Sequence, residues 1–139
     1  MGHPIPIRFK DATVEARLRQ VAGHRALSSL AEELIDEGLR MRRHDLIVFR
    51  AGPAGRRAAL AGGPDVWEVI AGTVGGDVPV EERRARAVTV LGLRLAAIDA
   101  ALGYYAEFTD EIDELIAANE AAADEAEQRW RRTNDLLAR

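Results

Sequence analysis

The chain has 139 residues, 47% of them hydrophobic and only 5% aromatic, with no cysteine and a formal net charge of −4. That length suits one ordinary domain or two very small ones, with a core built mainly from Leu, Ile, Val and Ala. A disulfide framework and thiolate chemistry are excluded. No apolar run approaches a membrane span, and the N-terminus lacks a signal-peptide pattern, so a soluble cytoplasmic protein with no membrane partner is expected.

The charge is unevenly spread. Residues 1–45 hold eight Lys or Arg against seven Asp or Glu, whereas residues 101–139 hold four against ten. Any contact with nucleic acid is therefore expected from a local basic face near the start. The acidic end suits a solvated helix or a basic partner.

The segment Pro4–Lys10 reads as a short strand. Alternation sends Ile5, Ile7 and Phe9 to one side and Arg8 and Lys10 to the other. A first helix is expected over about 13–22, capped by Asp11 or Thr13, with Val14, Leu18 and Val21 as its apolar stripe. Gly23-His24-Arg25 makes the turn. Ser28 or Ser29 can cap a second helix, and Glu32 stands at capping-box spacing from Ser29. That helix is expected to reach about Arg43, with Leu30, Leu34, Ile35, Leu39 and Met41 toward its buried side. Gly38 inside it marks either close packing or nothing.

One strand and two helices in about 45 residues cannot close much of a core alone. An intertwined homodimer can, by pairing the strands of two chains into a ribbon whose basic face fits the DNA major groove. On this reading Arg8 forks onto guanine and Lys10 is a less geometric donor. The start of the second helix, with Ser28, Ser29 and Arg25, holds a phosphate. The alternative is a solvated sheet face and ordinary caps. Pro6 lacks a ladder donor and takes one place in the outward row, leaving two basic readers per chain.

Beyond His44–Leu46 the pattern changes. Leu46–Arg50 and Arg56–Leu60 read as the strands of a small hairpin around Ala51–Gly55. Asp65 can cap a helix over 66–71. Thr73–Pro79 reads as a loop. Helical signals return over about 80–90 and 93–106 with Gly92 between them, and a final helix runs from near Thr109 to about Leu137. Val66, Trp67, Val69, Ile70, Val88, Val90, Leu91, Leu93, Leu95, Ile98 and Leu102 are the expected core of this second part. The helix pair around Gly92, with Arg83, Arg84, Arg86 and Arg94 nearby, is either a packing unit or a second DNA contact. In the last helix Trp130 is the one large anchor, flanked by Arg129, Arg131 and Arg132. A Trp beside Arg suits a protein-binding hot spot, though a hydrophobic cap or a dimer contact fits too.

No catalytic machinery is expected. The three histidines lack metal-ligand spacing, no nucleophile motif is present, and Gly52-Pro-Ala-Gly55 lacks the Lys-Ser/Thr of a phosphate loop. The chain is read as a non-enzyme without a cofactor.

Two resemblances follow from these residues. Residues 3–44 resemble a ribbon-helix-helix domain of the MetJ/Arc/CopG type. The resemblance is carried by the basic-faced strand, the Asp/Thr helix start, the break at Gly23, and Leu27-Ser-Ser-Leu-Ala-Glu-Glu-Leu-Ile35. It implies an obligate dimer, base reading by Arg8 and Lys10, and a phosphate role for the second-helix start. The stretch 46–127 is similar to the DUF433 proteins, through Phe49-Arg-Ala-Gly-Pro-Ala-Gly-Arg-Arg57, Gly63-Pro-Asp-Val-Trp-Glu-Val69, Ala101-Leu-Gly-Tyr-Tyr-Ala106 and Glu111–Glu120. That family implies a helix-turn-helix-like fold and often an antitoxin of a type II module, with a PIN-domain ribonuclease of the VapC type as partner.

The expected architecture is mainly α. A ribbon-helix-helix domain over 3–44 is followed by a DUF433-like domain with an N-terminal β-hairpin over 46–108. A toxin-binding helix over 109–139 completes it. Together the resemblances imply a VapB-type antitoxin that represses its own operon by binding operator double-stranded DNA. Arg56, Arg57, Arg129, Trp130, Arg131 and Arg132 are the candidate contacts to the toxin. A dimeric regulator with no toxin is the alternative.

Overall fold

The computed structural model describes residues 2–139. The chain is mainly helical with one small antiparallel sheet. In order the elements are α1 (Ala12–Ala22), α2 (Leu27–Arg43), β1 (Ile47–Gly52), β2 (Gly55–Leu60), α3 (Val66–Thr73), α4 (Val80–Leu91), α5 (Leu95–Glu107) and α6 (Thr109–Leu137). Two compact units arise, Met1–Arg40 and Met41–Arg139, and the boundary falls inside α2.

In the first unit Asp11 is the N-cap of α1. Its carboxylate accepts from the Thr13 backbone N–H at 2.8 Å and from the Thr13 hydroxyl at 2.6 Å. Those two bonds, the side-chain one first, hold the Asp11 carboxyl below its ordinary range. Gly23 closes the helix, its N–H donating to Arg19 O. The start of α2 differs from the sequence expectation. The helix begins at Leu27, and the Leu30 N–H already bonds Ala26 O. Ser28 and Ser29 thus lie within the first turn and do not precede it as caps. Starting early brings half-buried Leu27 and buried Leu30 onto the helix together.

Residues 2–9 adopt no regular secondary structure in the single chain, so the expected strand over Pro4–Lys10 is absent here. A strand exists by its ladder, and among the described residues no other segment pairs with this one. Gly38 does not mark close packing, since a Cβ there would meet nothing within 4 Å.

The second unit is built on the hairpin. β1 and β2 pair from Ile47↔Leu60 to Gly52↔Gly55. The connection is therefore Pro53-Ala54 alone, shorter than the expected Ala51–Gly55. So tight a reversal is eased by Gly55, whose φ of 104° costs other residues dearly. Ala58, Ala59 and Leu60 are buried along β2. α3 follows with a capping box: Asp65 accepts from the backbone within the first turn, and Glu68 accepts from the Asp65 N–H at 2.9 Å. α4 ends at Gly92 in the left-handed conformation (φ 65°, ψ 27°), and α5 leaves after a bend of 118°.

The core joins Ile47 and Leu60 of the hairpin to Val66, Val69 and Ile70 of α3, Ala87 of α4, Ile98, Ala101 and Tyr104 of α5, and Ile112 of α6. Two expected core residues are outside it: Val90 is 65% exposed and Leu95 47%. Leu91 packs against the core and Ile98 is buried in it instead. Among the described residues no single helix is long and apolar enough to cross a membrane.

Candidate functional site

The first unit carries an apolar concavity of about 440 Å³ lined mainly by Ile7, Phe9, Val14, Leu18, Val21 and Leu34. These are the inward residues of the segment before α1 and the apolar stripes of α1 and α2. The stripes read from the sequence are real but uncovered. Val21 is 69% exposed and Leu39 64%, while among the unit's described apolar residues only Ala22 and Leu30 are buried. A monomeric soluble protein seldom leaves so continuous a surface open.

Arg8 and Lys10 are exposed in the segment before α1. Among the described residues neither has an ion-pair partner. Arg25 is different: its guanidinium pairs with the Glu33 carboxylate, Nη1 to Oε2 at 2.9 Å and Nη2 to Oε1 at 3.4 Å. Ser28 and Ser29 are exposed at the start of α2, a helix whose first turn carries no acidic residue. The backbone N–H groups there remain open to an anion.

In the second unit the hairpin arginines separate. Arg57 reaches back and forms an ion pair with Asp65, which is 7% exposed. Asp65 also accepts from the Trp67 indole at 3.2 Å and lies 3.6 Å from Arg50. Arg57 therefore holds the hairpin to the start of α3. Arg56 points elsewhere, its guanidinium donating to Phe49 O at 3.3 Å. Sequence reading recognised Asp65 as a cap and Arg57 as a turn cation. It did not join them, because the link crosses the Gly62-Gly63-Pro64 break.

A second cluster surrounds Glu107 at the end of α5. Its Oε2 accepts from Arg43 Nε at 2.7 Å and lies 2.9 Å from His44 Nε2. Burial pushes the Glu107 carboxyl up, but the bonds and charges of His44 and Arg43 outweigh it and hold it below the ordinary range. His44 is edge-on to Tyr104 at 5.3 Å and to Phe108 at 6.0 Å. The Tyr104 hydroxyl donates to Glu111 at 2.8 Å. Tyr105 donates to Asp113 at 2.7 Å, and that bond raises its phenol pKa.

α6 has two parts. Its start is anchored through Ile112, Leu115 and Ile116. From Ala117 to Leu137 every residue but Asn134 is exposed. Trp130 is 66% exposed. Arg129 pairs with Glu125 at 3.2 Å and Arg131 with Glu127, each one turn back, and Arg132 reaches only the Gln128 carbonyl at 3.4 Å. Surface pairs of this kind contribute little and exchange readily. Among the described residues no group of three or more His, Asp or Glu side chains is placed to hold a metal ion.

No family model, curated protein or solved structure matches the chain.

Proposed function

We propose that this chain is an antitoxin that neutralises a PIN-domain ribonuclease and represses its own operon as a dimer on operator DNA. One observation carries the reading. The first unit has a complete amphipathic pattern, yet its apolar face is open and its basic N-terminal segment lacks a ladder partner. A second copy supplies both needs at once: its segment pairs with Pro4–Lys10, and its helices cover the concavity. Arg8 and Lys10 of each chain then share one outward ribbon face, the geometry that enters a major groove. The open N–H groups at Ser28 and Ser29 serve a phosphate, and Arg25 joins them by exchanging Glu33 for it.

The toxin is assigned to the exposed part of α6. From Ala117 to Leu137 every residue but Asn134 is exposed, so this stretch is open to a partner. Trp130 is the anchor a partner pocket takes. PIN nucleases gather carboxylates for metal, and an arginine from the inhibitor can occupy that cluster. Arg132 is the readiest, having only a long bond to a backbone carbonyl, while Arg57 is committed to Asp65.

The test is co-expression with the neighbouring genes of the operon. Purification of a stable complex with a small nuclease whose RNA cleavage is suppressed is the expected result. Trp130→Ala then weakens that complex by about 2 kcal/mol or more. A homodimer that binds operator DNA but no nuclease instead makes the chain a regulator without a toxin. Arg8→Ala is expected to blur sequence preference more than Lys10→Ala, and retention of specific binding by the double variant would remove the ribbon assignment.

A further inference from the structure

The exposed part of α6 has a face and a polarity that together specify a partner. At 3.6 residues per turn, Ala118, Ala122, Ala126, Trp130, Thr133 and Leu137 share one face. All six are exposed. No carboxylate lies among them. Along the axis the charges are sorted. No Lys or Arg occurs between Arg94 and Arg129, so the preceding turns of α6 hold only acids, including Glu120, Asp124, Glu125 and Glu127. Arg129, Arg131 and Arg132 then follow within four residues. Of these charges Glu125 and Arg129 stand beside the face, whereas Glu120, Asp124 and Glu127 stand behind it.

We infer that in the toxin-free protein this face pairs antiparallel with the same face of a second copy. A parallel pair sets acid beside acid and base beside base. The antiparallel pair sets the arginine cluster of each chain beside the acidic turns of the other. It also solves the packing. Each Trp130 lies over the other chain's Ala122 and Ala126, whose small side chains let the helices approach closely. The two-fold axis then falls near Glu127–Gln128. Arg129 and Glu125 flank this face, so Arg129 exchanges its one-turn pair for the same carboxylate of the partner, while Arg131 and Glu127 keep theirs on the outer side. This pairing is separate from the dimer through the first unit and stands or falls without it. Toxin and second copy would compete for one face.

The absence of cysteine makes the test clean. Single cysteines are placed on the full-length, toxin-free chain at three exposed sites, and a short bis-maleimide is added. Ala126→Cys lies on the face near the axis. Gln128→Cys lies at the same height on the opposite side. Ala118→Cys lies on the face but, with a rise of 1.5 Å per residue, about 28 Å from its counterpart in the antiparallel register. The expected result is efficient covalent dimer from Ala126→Cys, at least about tenfold over the other two, as the high local concentration in a specific pair dictates. The yield is also expected to fall as salt is raised. Equal cross-linking at Gln128→Cys means random collision, and efficient cross-linking at Ala118→Cys means a parallel pair. Either result, or none at Ala126→Cys, overturns the inference. Circular dichroism of each variant confirms that the helix is kept.

Discussion

The two units of this chain handle the same problem in different ways. The second, Met41–Arg139, places a fully enclosed aromatic at its centre: Tyr104 has no exposed surface, and Ile98, Val66 and Ile112 around it have none either. The first, Met1–Arg40, has equally regular helices, yet leaves Val14, Val21, Leu34 and Leu39 open. Both have proper stripes. What differs is the number of elements available to cover them. A hairpin and four helices close on one another, while two helices and a short segment are too few elements to cover each other's stripes. Helical periodicity tells which residues seek burial; it does not tell whether the same chain supplies the cover.

The sharpest way to break this contrast is to place a charge in the open face. Leu34→Glu is expected to abolish the proposed dimer and the operator binding proposed for it, while leaving the second unit folded, because an unpaired carboxylate cannot be buried cheaply. Sedimentation of the variant decides it; an intact dimer would mean that the open face is not the contact. Next in size is Tyr104→Ala. Loss of about 3–5 kcal/mol is expected from emptying the centre of the closed unit, read by urea unfolding and independent of protein concentration. The first unit should behave oppositely, its melting temperature rising with concentration as a dimer requires.

Smaller changes refine the comparison. Gly38→Ala should stabilise the first unit by about 1 kcal/mol through helix propensity, since a methyl there meets nothing in one chain. A loss instead would place Gly38 in the contact between copies. Glu107→Gln tests the polar edge of the closed unit. The folded carboxyl is held low, so its stabilisation is present above the ordinary carboxylate range and is lost as pH falls through the lowered value. The variant should melt below the parent at neutral pH, and the gap should close in acid.

Local structure was largely legible in the residues. The helices appear close to where Asp11, Gly23, Asp65 and Gly92 predict them, because caps and breakers act within a few residues. The start of α2 was not, because burial of Leu30 and packing of Leu27 override the two serines. Nor did sequence place Ala58, Ala101 and Ile112 in the core or set Val90 and Leu95 outside it, since which side of a bend faces inward depends on its angle. Of the candidate site residues, the exposure expected of Arg8, Lys10 and Trp130 is what the structure shows. The commitments of Arg25 to Glu33 and of Arg57 to Asp65 arise from how the elements pack, and spacing alone does not reveal them.

The hairpin tip also carries information to a helix that it precedes by more than ten residues. The Arg57 guanidinium lies across Gly52, where a Cβ would overlap it. Arg57 is not free to step aside, because its other contact is the carboxylate that caps α3. A single methyl at position 52 therefore acts as a lever. It would prise Arg57 from Asp65 and leave the buried carboxylate with only the longer contact to Arg50 and the Trp67 indole at the first turn of α3. Gly52 contributes only backbone to the last rung of the ladder, yet the ion pair that holds the hairpin to α3 depends on its having no side chain.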